Sequence, residues 1–168
     1  MIFETERLRV RHMGPGDEEM LFQVYGDPEA MRWVDDGQPI KRAGCASWVD
    51  ITAKNYELRG YGMSVVEEKE TGLVIGFCGL VHPGGQAETE IKYAYLRSHW
   101  GLGIATEVAT ALLKYGAEAF GIGRVIATIA PDNHASQGVC RKAGMREAKR
   151  IANEDGSETV LMEWLAEE

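Results

Sequence analysis

Thr89-Glu90-Ile91-Lys92-Tyr93-Ala94-Tyr95-Leu96, then Arg97-Ser98-His99, then Trp100-Gly101-Leu102-Gly103-Ile104-Ala105-Thr106 is the stretch that decides the fold. Its first eight residues read as a strand. The Gly-x-Gly turn then opens a helix near Ile104, with the apolar stripe Ile104, Val108, Leu112 flanked by Ala105, Ala109 and Leu113. That helix should end near Gly121, and 124–130 is a β-branched strand. Strand, helix and strand in that order make a parallel crossover.

Upstream the period is mostly two. Residues 61–67 and 73–81 read as strands joined by Glu68-Lys69-Glu70-Thr71-Gly72, and His82-Pro83-Gly84-Gly85 turns the chain into strand 89–96. The crossover thus sits inside an otherwise antiparallel sheet. At the start, 7–13 alternates as a half-buried strand, and Asp17 caps a helix through Met20, Leu21, Val24 and Tyr25. Residues 28–34 form a short turn-like helix, and 40–58 a longer one ending at Gly60. At the far end 136–143 is a short helix, and 146–152 with 158–164 a hairpin. The expected class is α+β: a mixed, mostly antiparallel central sheet with a splayed parallel strand pair and helices on both faces.

The 168 residues fit one domain, expected to span 1–168. A net charge of −8 speaks against a nucleic-acid surface and leaves room for small cationic substrates, amines included. Cys45, Cys78 and Cys140 include no CxxC pair, and the four histidines show no i,i+4 pairing, so no metal is expected. Free thiols and the charged start Met1-Ile2-Phe3-Glu4 point to the cytoplasm, and no apolar run reaches the ~20 residues a membrane helix needs.

The glycine turn between strand and helix can aim backbone N–H groups at an anion, with the helix dipole behind them. It is also readable as a tight turn with nothing bound. No GxxxxGK[ST] occurs, so it is not a P-loop. A dinucleotide fingerprint would open a parallel sheet with an acid ~20 residues on. Here it follows a meander, and 120–122 are Phe, Gly and Ile. Asn133-His134-Ala135-Ser136 lies where a strand gives way to a helix, so Asn133 is readable as a plain N-cap.

Together these segments resemble the GNAT family of acetyl-CoA-dependent N-acetyltransferases over nearly the whole chain. The opening Glu4-Thr5-Glu6-Arg7-Leu8-Arg9-Val10-Arg11 resembles its RimJ/RimL-type branch, which includes ribosomal-protein N-terminal acetyltransferases. Trp100 through Glu107 resembles the branch's pyrophosphate loop, with Trp100 where the broad family pattern has Gln or Arg. Asn133-x-x-Ser136 through Lys142-Ala143-Gly144-Met145 resembles its N-x-x-S and K-x-G-[FM] segment.

The resemblance implies acetyl-CoA as co-substrate, without a metal. The backbone of Gly101, Gly103, Ala105 and Thr106 would hold the pyrophosphate, and Tyr95 and Leu96 would offer main-chain hydrogen bonds to the pantetheine arm. Asn133 would hold the pantetheine near the splay, and Arg141 or Lys142 would meet the 3′-phosphate. Glu90 matches the base position, with Glu88 as competitor, and Ser136 would protonate the departing thiolate. Cys140 is read as a packed thiol.

A base is needed because only a neutral amine attacks. At pH 7 an α-amine is about 10% neutral and a lysine amine roughly 0.04%. The acceptor is an amine on a polypeptide N-terminus or a small molecule, aminoglycosides and polyamines included. It would meet 14–60 and the C-terminal hairpin, where 154–168 carries six acids and no base. No nucleic acid or membrane partner is expected, and a homodimer is left open. A non-catalytic acyl-CoA-binding sensor would keep the loop and Asn133 without depending on Glu90 or Ser136.

Overall fold

The computed structural model describes residues 1–34 and 37–168. The strands are β1 (Phe3–Glu4), β2 (Leu8–His12), β3 (Met63–Glu68), β4 (Val74–Val81), β5 (Thr89–Tyr95), β6 (Arg124–Ile129), β7 (Arg146–Ala152) and β8 (Glu158–Leu165). The helices are α1 (Glu18–Tyr25), α2 (Pro28–Met31), α3 (Arg42–Arg59), α4 (Ile104–Phe120) and α5 (His134–Lys142). The strands form one sheet in the order β1-β2-β3-β4-β5-β6-β8-β7. Its parallel ladder pairs Thr89 with Val125 and Glu90 with Ile126, while β6 pairs antiparallel with β8 as far as Ile129↔Val160. The class is mixed α+β, mostly antiparallel with one parallel pair.

The chain packs as two compact units, Met1–Gly79 with Lys92–Ile104, and Leu80–Ile91 with Ala105–Glu168. In the first, α1 and α3 bring Leu21, Val24, Tyr25, Cys45 and Val49 against Val65, Phe77 and Ala94 of the strands. Tyr25 sits edge-on to Trp48, with ring centroids 4.6 Å apart. Asp17 stands at the N-cap of α1 as expected, but its side chain makes no cap hydrogen bond. It accepts instead from both terminal guanidinium nitrogens of Arg11, at 2.8 and 3.0 Å, and from Gly14 N. A charge-assisted bidentate pair outcompetes a single cap bond.

In the second unit α4 buries Val108, Ala109, Leu112 and Leu113, while β6 and β8 bury Val125, Ala127, Val160 and Met162. Gly116 lets α4 approach Leu80: a Cβ there would stand 2.6 Å from Leu80 Cδ1. α5 starts at His134, two residues before the expected 136, because Asn133 Oδ1 accepts from Ser136 N at 3.2 Å and sets the first turn. β7 ends the sheet with five exposed residues in succession.

Candidate active site

The glycine turn belongs to the first unit. Gly101 and Gly103 have φ of +76° and +77°, a region that side-chain-bearing residues rarely adopt. A Cβ on Gly101 would meet nothing within 4 Å, so crowding within the chain does not demand this glycine. The space it leaves is open to a ligand. α4 begins at once at Ile104, and the N–H groups of a first helical turn have no intrahelical acceptor. Backbone donors beside a cradle that a Cβ would fill fit a diphosphate.

Two side chains hold the turn. Trp100 Nε1 donates to the Tyr95 carbonyl at 3.0 Å, fastening the turn to the end of β5. Arg7 Nη1 donates to the Leu102 carbonyl at 2.9 Å. The main-chain groups expected to serve a pantetheine arm thus have partners within the chain. Leu96 N donates to Ile75 O at 2.8 Å, and Leu96 O accepts from His99 N at 2.9 Å. A carbonyl keeps a second lone pair, whereas an N–H does not. Tyr95 and Leu96 can therefore still accept through oxygen, but Leu96 N is committed.

Arg97, just before the turn, forks onto both Asp27 oxygens, and Asp27 Oδ1 also accepts from Glu29 N at the start of α2. The Arg97 hydrogen bonds hold the Asp27 carboxyl below its ordinary range.

Glu90 lies in the second unit, on β5, and is 3% exposed. It is no edge charge, since β5 stands between β4 and β6. Its Oε1 accepts from Thr128 Oγ1 at 2.5 Å and its Oε2 from Gln86 Nε2 at 3.2 Å. Gln86 Nε2 also reaches the Glu88 carbonyl, at 3.1 Å, and Gln86 O lies 3.1 Å from His82 Nδ1. Glu88 is exposed and precedes β5, so strand alternation from Glu90 does not extend to it.

Asn133 is the N-cap of α5, and Ser136 is half-buried in that helix's first turn. Gln137, buried beside Ser136, donates through Nε2 to Pro131 O at 2.8 Å and Ala130 O at 3.3 Å. It ties the helix start to the residues following β6. Arg141 Nη2 donates back to Gln137 Oε1 at 3.4 Å. Arg141 and Lys142 occupy the exposed last turn of α5, where cations also suit the helix dipole. Ala105 and Thr106 are half-buried in the first turn of α4.

The hairpin's acidity is partly neutralised. Glu163 pairs with Arg124 at 3.0 Å and Arg146 at 3.2 Å, and Glu158 lies 3.8 Å from Arg150. Six acids in sequence do not amount to a six-charge acceptor surface. The acceptor-side stretch 14–60 includes Asp35 and Asp36, which lie outside the described residues. All three cysteines are buried and free, and burial pushes the Cys78 thiol up to about 12. Among the described residues no group of three His, Cys, Asp or Glu side chains is placed to hold a metal, and no helix is long and apolar enough to cross a membrane.

Arg7, Thr128, Gln86 and Gln137 were not among the expected site residues. Two had a nearby signal: Arg7 lies within the quoted opening segment, and Gln137 is one residue after Ser136.

A family model described as an acetyltransferase (GNAT) domain matches residues 7–146. The chain belongs to the GNAT acetyltransferase family. It is 38% identical to an uncharacterized protein, YkkB, of Bacillus subtilis (strain 168), over 88% of this chain and 86% of that one. It is 32% identical to an uncharacterized N-acetyltransferase of the same organism, YoaA, over 87% and 83%. Among solved structures it is similar to RimL, a ribosomal L7/L12 α-N-protein acetyltransferase in complex with coenzyme A. The TM-score is 0.83 at 19% identity, over 98% of this chain and 97% of that one. At that identity the likeness is one of fold.

Proposed function

We propose that residues 1–168 act as one domain that moves acetyl from acetyl-CoA to a primary amine by direct attack. The observation that carries this reading is Glu90: a carboxylate 3% exposed, at mid-sheet, oriented by the Thr128 hydroxyl and the Gln86 amide. Withdrawing a carboxylate from water is costly, and sites that do so are candidates for proton chemistry.

In this reading the glycine turn with Ala105 and Thr106 takes the diphosphate, and the carbonyls of Tyr95 and Leu96 accept from the pantetheine amides. Asn133 and Arg141 or Lys142 serve the rest of the cofactor. Glu90 removes a proton from the incoming ammonium, directly or through a water. The amine lone pair forms the N–C bond and the C–S bond breaks. The acylated nitrogen sheds its second proton, and Ser136 Oγ supplies a proton to the thiolate and regains that one through solvent.

The acceptor in this reading is a polypeptide N-terminus, following the likeness of the opening segment to the RimJ/RimL-type branch. The testing experiment measures free CoA release across peptide N-termini, polyamines and aminoglycosides. A peptide α-amine should be the best substrate. Turnover of a polyamine or an aminoglycoside alone would reassign the acceptor. CoA binding with no turnover of any amine would make the protein a sensor.

A further inference from the structure

Gln86 uses only one end of its side-chain amide within the chain. Its Nε2 donates to Glu88 O at 3.1 Å and to Glu90 Oε2 at 3.2 Å, which accounts for both amide hydrogens. The neighbours fix which end is nitrogen, because a main-chain carbonyl can only accept. Among the described residues no group donates to Gln86 Oε1, and that oxygen is not closed off from solvent. The backbone is pinned as well: Gln86 N donates to Pro83 O at 3.2 Å, and Gln86 O lies 3.1 Å from His82 Nδ1. Half-buried Gln86 and exposed Thr128 flank the buried Glu90 carboxylate, one on each oxygen. An amine that reaches Glu90 arrives beside the amide.

We propose that Gln86 binds the acceptor amine, its Oε1 accepting a hydrogen bond from the same ammonium whose proton Glu90 removes. The proposal rests on the acetyl-transfer reading above and adds to it a binding group for the acceptor's nitrogen. An amide holds its oxygen about 2.3 Å from its nitrogen, so Oε1 lies within about 5.5 Å of Glu90 Oε2. One nitrogen about 2.9 Å from each oxygen can bridge that distance. A primary ammonium has three N–H groups. One faces Glu90 and gives up its proton, and a second stays on Gln86 while the lone pair attacks the thioester. A carboxamide suits this place better than a second carboxylate, since it holds the N–H without competing for the proton.

The test takes the best substrate of the amine panel and its des-amino counterpart, in which hydrogen replaces the reactive amino group. Their affinities for the CoA-loaded protein are measured by calorimetry at neutral pH. Gln86→Met should weaken the amine by about 10- to 100-fold, the range for a hydrogen bond to a charged group, and leave the des-amino compound unchanged. Gln86→Ala repeats the comparison with no side chain in the turn. Gln86→Glu keeps an acceptor oxygen and loses the donor, so it should hold the amine at least as well as wild type while turnover falls. Thr128→Val removes the other bond to Glu90 and should leave amine affinity unchanged. Melting curves should show every variant folded, because Gln86 and Thr128 are not core residues.

Unchanged amine affinity in Gln86→Met would overturn the proposal. So would an equal loss on the des-amino compound, which marks a structural role. An equal loss in Gln86→Glu or Thr128→Val would overturn it too, since the effect would then run through the orientation of Glu90. A panel in which no amine is turned over would remove the acetyl-transfer reading and this proposal with it. Turnover in wild type with amine affinity untouched in Gln86→Met would remove the Gln86 proposal alone.

Discussion

The Thr128 hydroxyl donates to Glu90 Oε1 at 2.5 Å, so a residue on β6 fixes the carboxylate of a residue on β5. The parallel register makes this possible: Glu90 is level with Ile126, and Thr128 is the next residue of the same parity along β6. Glu90→Gln should lower turnover by roughly 10²–10³ near neutral pH and recover partly at high pH, where the amine deprotonates unaided. Thr128→Val should cost about 10-fold, the low end for a hydrogen bond to a charged group. CoA affinity, measured in parallel, should be unchanged in both. A loss in Glu90→Gln that is flat across pH would make the residue a positioning group.

Gly103→Val should abolish the CoA-dependent rise in melting temperature. In wild type that rise corresponds to about 2.7 kcal/mol at a hundredfold excess over Kd. A β-branched residue at φ +77° also strains the apo fold by about 1–3 kcal/mol, so binding is measured well below the lowered Tm. Wild-type affinity in this variant would refute the cradle.

Asn133 has a structural duty whatever its ligand duty, because its side chain caps α5. Asn133→Ser keeps a capping oxygen and should leave Tm nearly unchanged, whereas Asn133→Ala should cost about 1 kcal/mol. If Asn133 also holds pantetheine, both variants should weaken CoA alike. If it only caps, affinity should follow Tm. Ser136→Ala leaves the capped N–H in place and should slow turnover at all pH values, without the high-pH recovery of Glu90→Gln.

Acid should unfold the first unit through its paired carboxylates. Burial by itself would raise the Asp17 carboxyl, but the Arg11 hydrogen bonds, Gly14 N and the Arg11 charge outweigh it and hold it below the ordinary value. Asp27 is lowered in the same direction by Arg97. A carboxyl whose folded value is depressed stabilises at neutral pH and loses that contribution as pH falls through the depressed value. Melting temperature should therefore drop below about pH 4. Asp27→Asn should lower Tm at pH 7, and its deficit against wild type should shrink progressively as pH falls below about 4, as thermal scans across that range would show.

Periodicity located α4, which buries one face with a regular repeat, whereas the C-terminal hairpin was legible from its turn at 153–156 and the α3 boundary from the left-handed Gly60. It missed β1, whose two residues are too few to show a period. The cap on α1 was misjudged in detail because Arg11, on another element, claims the Asp17 side chain. The glycine turn was legible because backbone conformation there demands a residue type. Arg7 and Thr128 were not, since a hydrogen bond spanning 95 or 38 residues leaves no local pattern, and Gln86, four residues before Glu90, sits in an irregular turn with no period to place its side chain. Glu88 was named as competitor because it stands two residues before Glu90, but the observed strand begins at Thr89, so alternation does not carry its face to Glu88.

Strand β7 closes the sheet on a side where no other strand among the described residues pairs with it, and it is exposed along most of its length. Its row of Arg146, Glu147, Lys149 and Arg150 is well hydrated, and an incoming strand would have to strip that water. The chain thus limits the growth of its own sheet with charge rather than with a covering helix. An added strand at this edge would first have to strip the water from those four side chains.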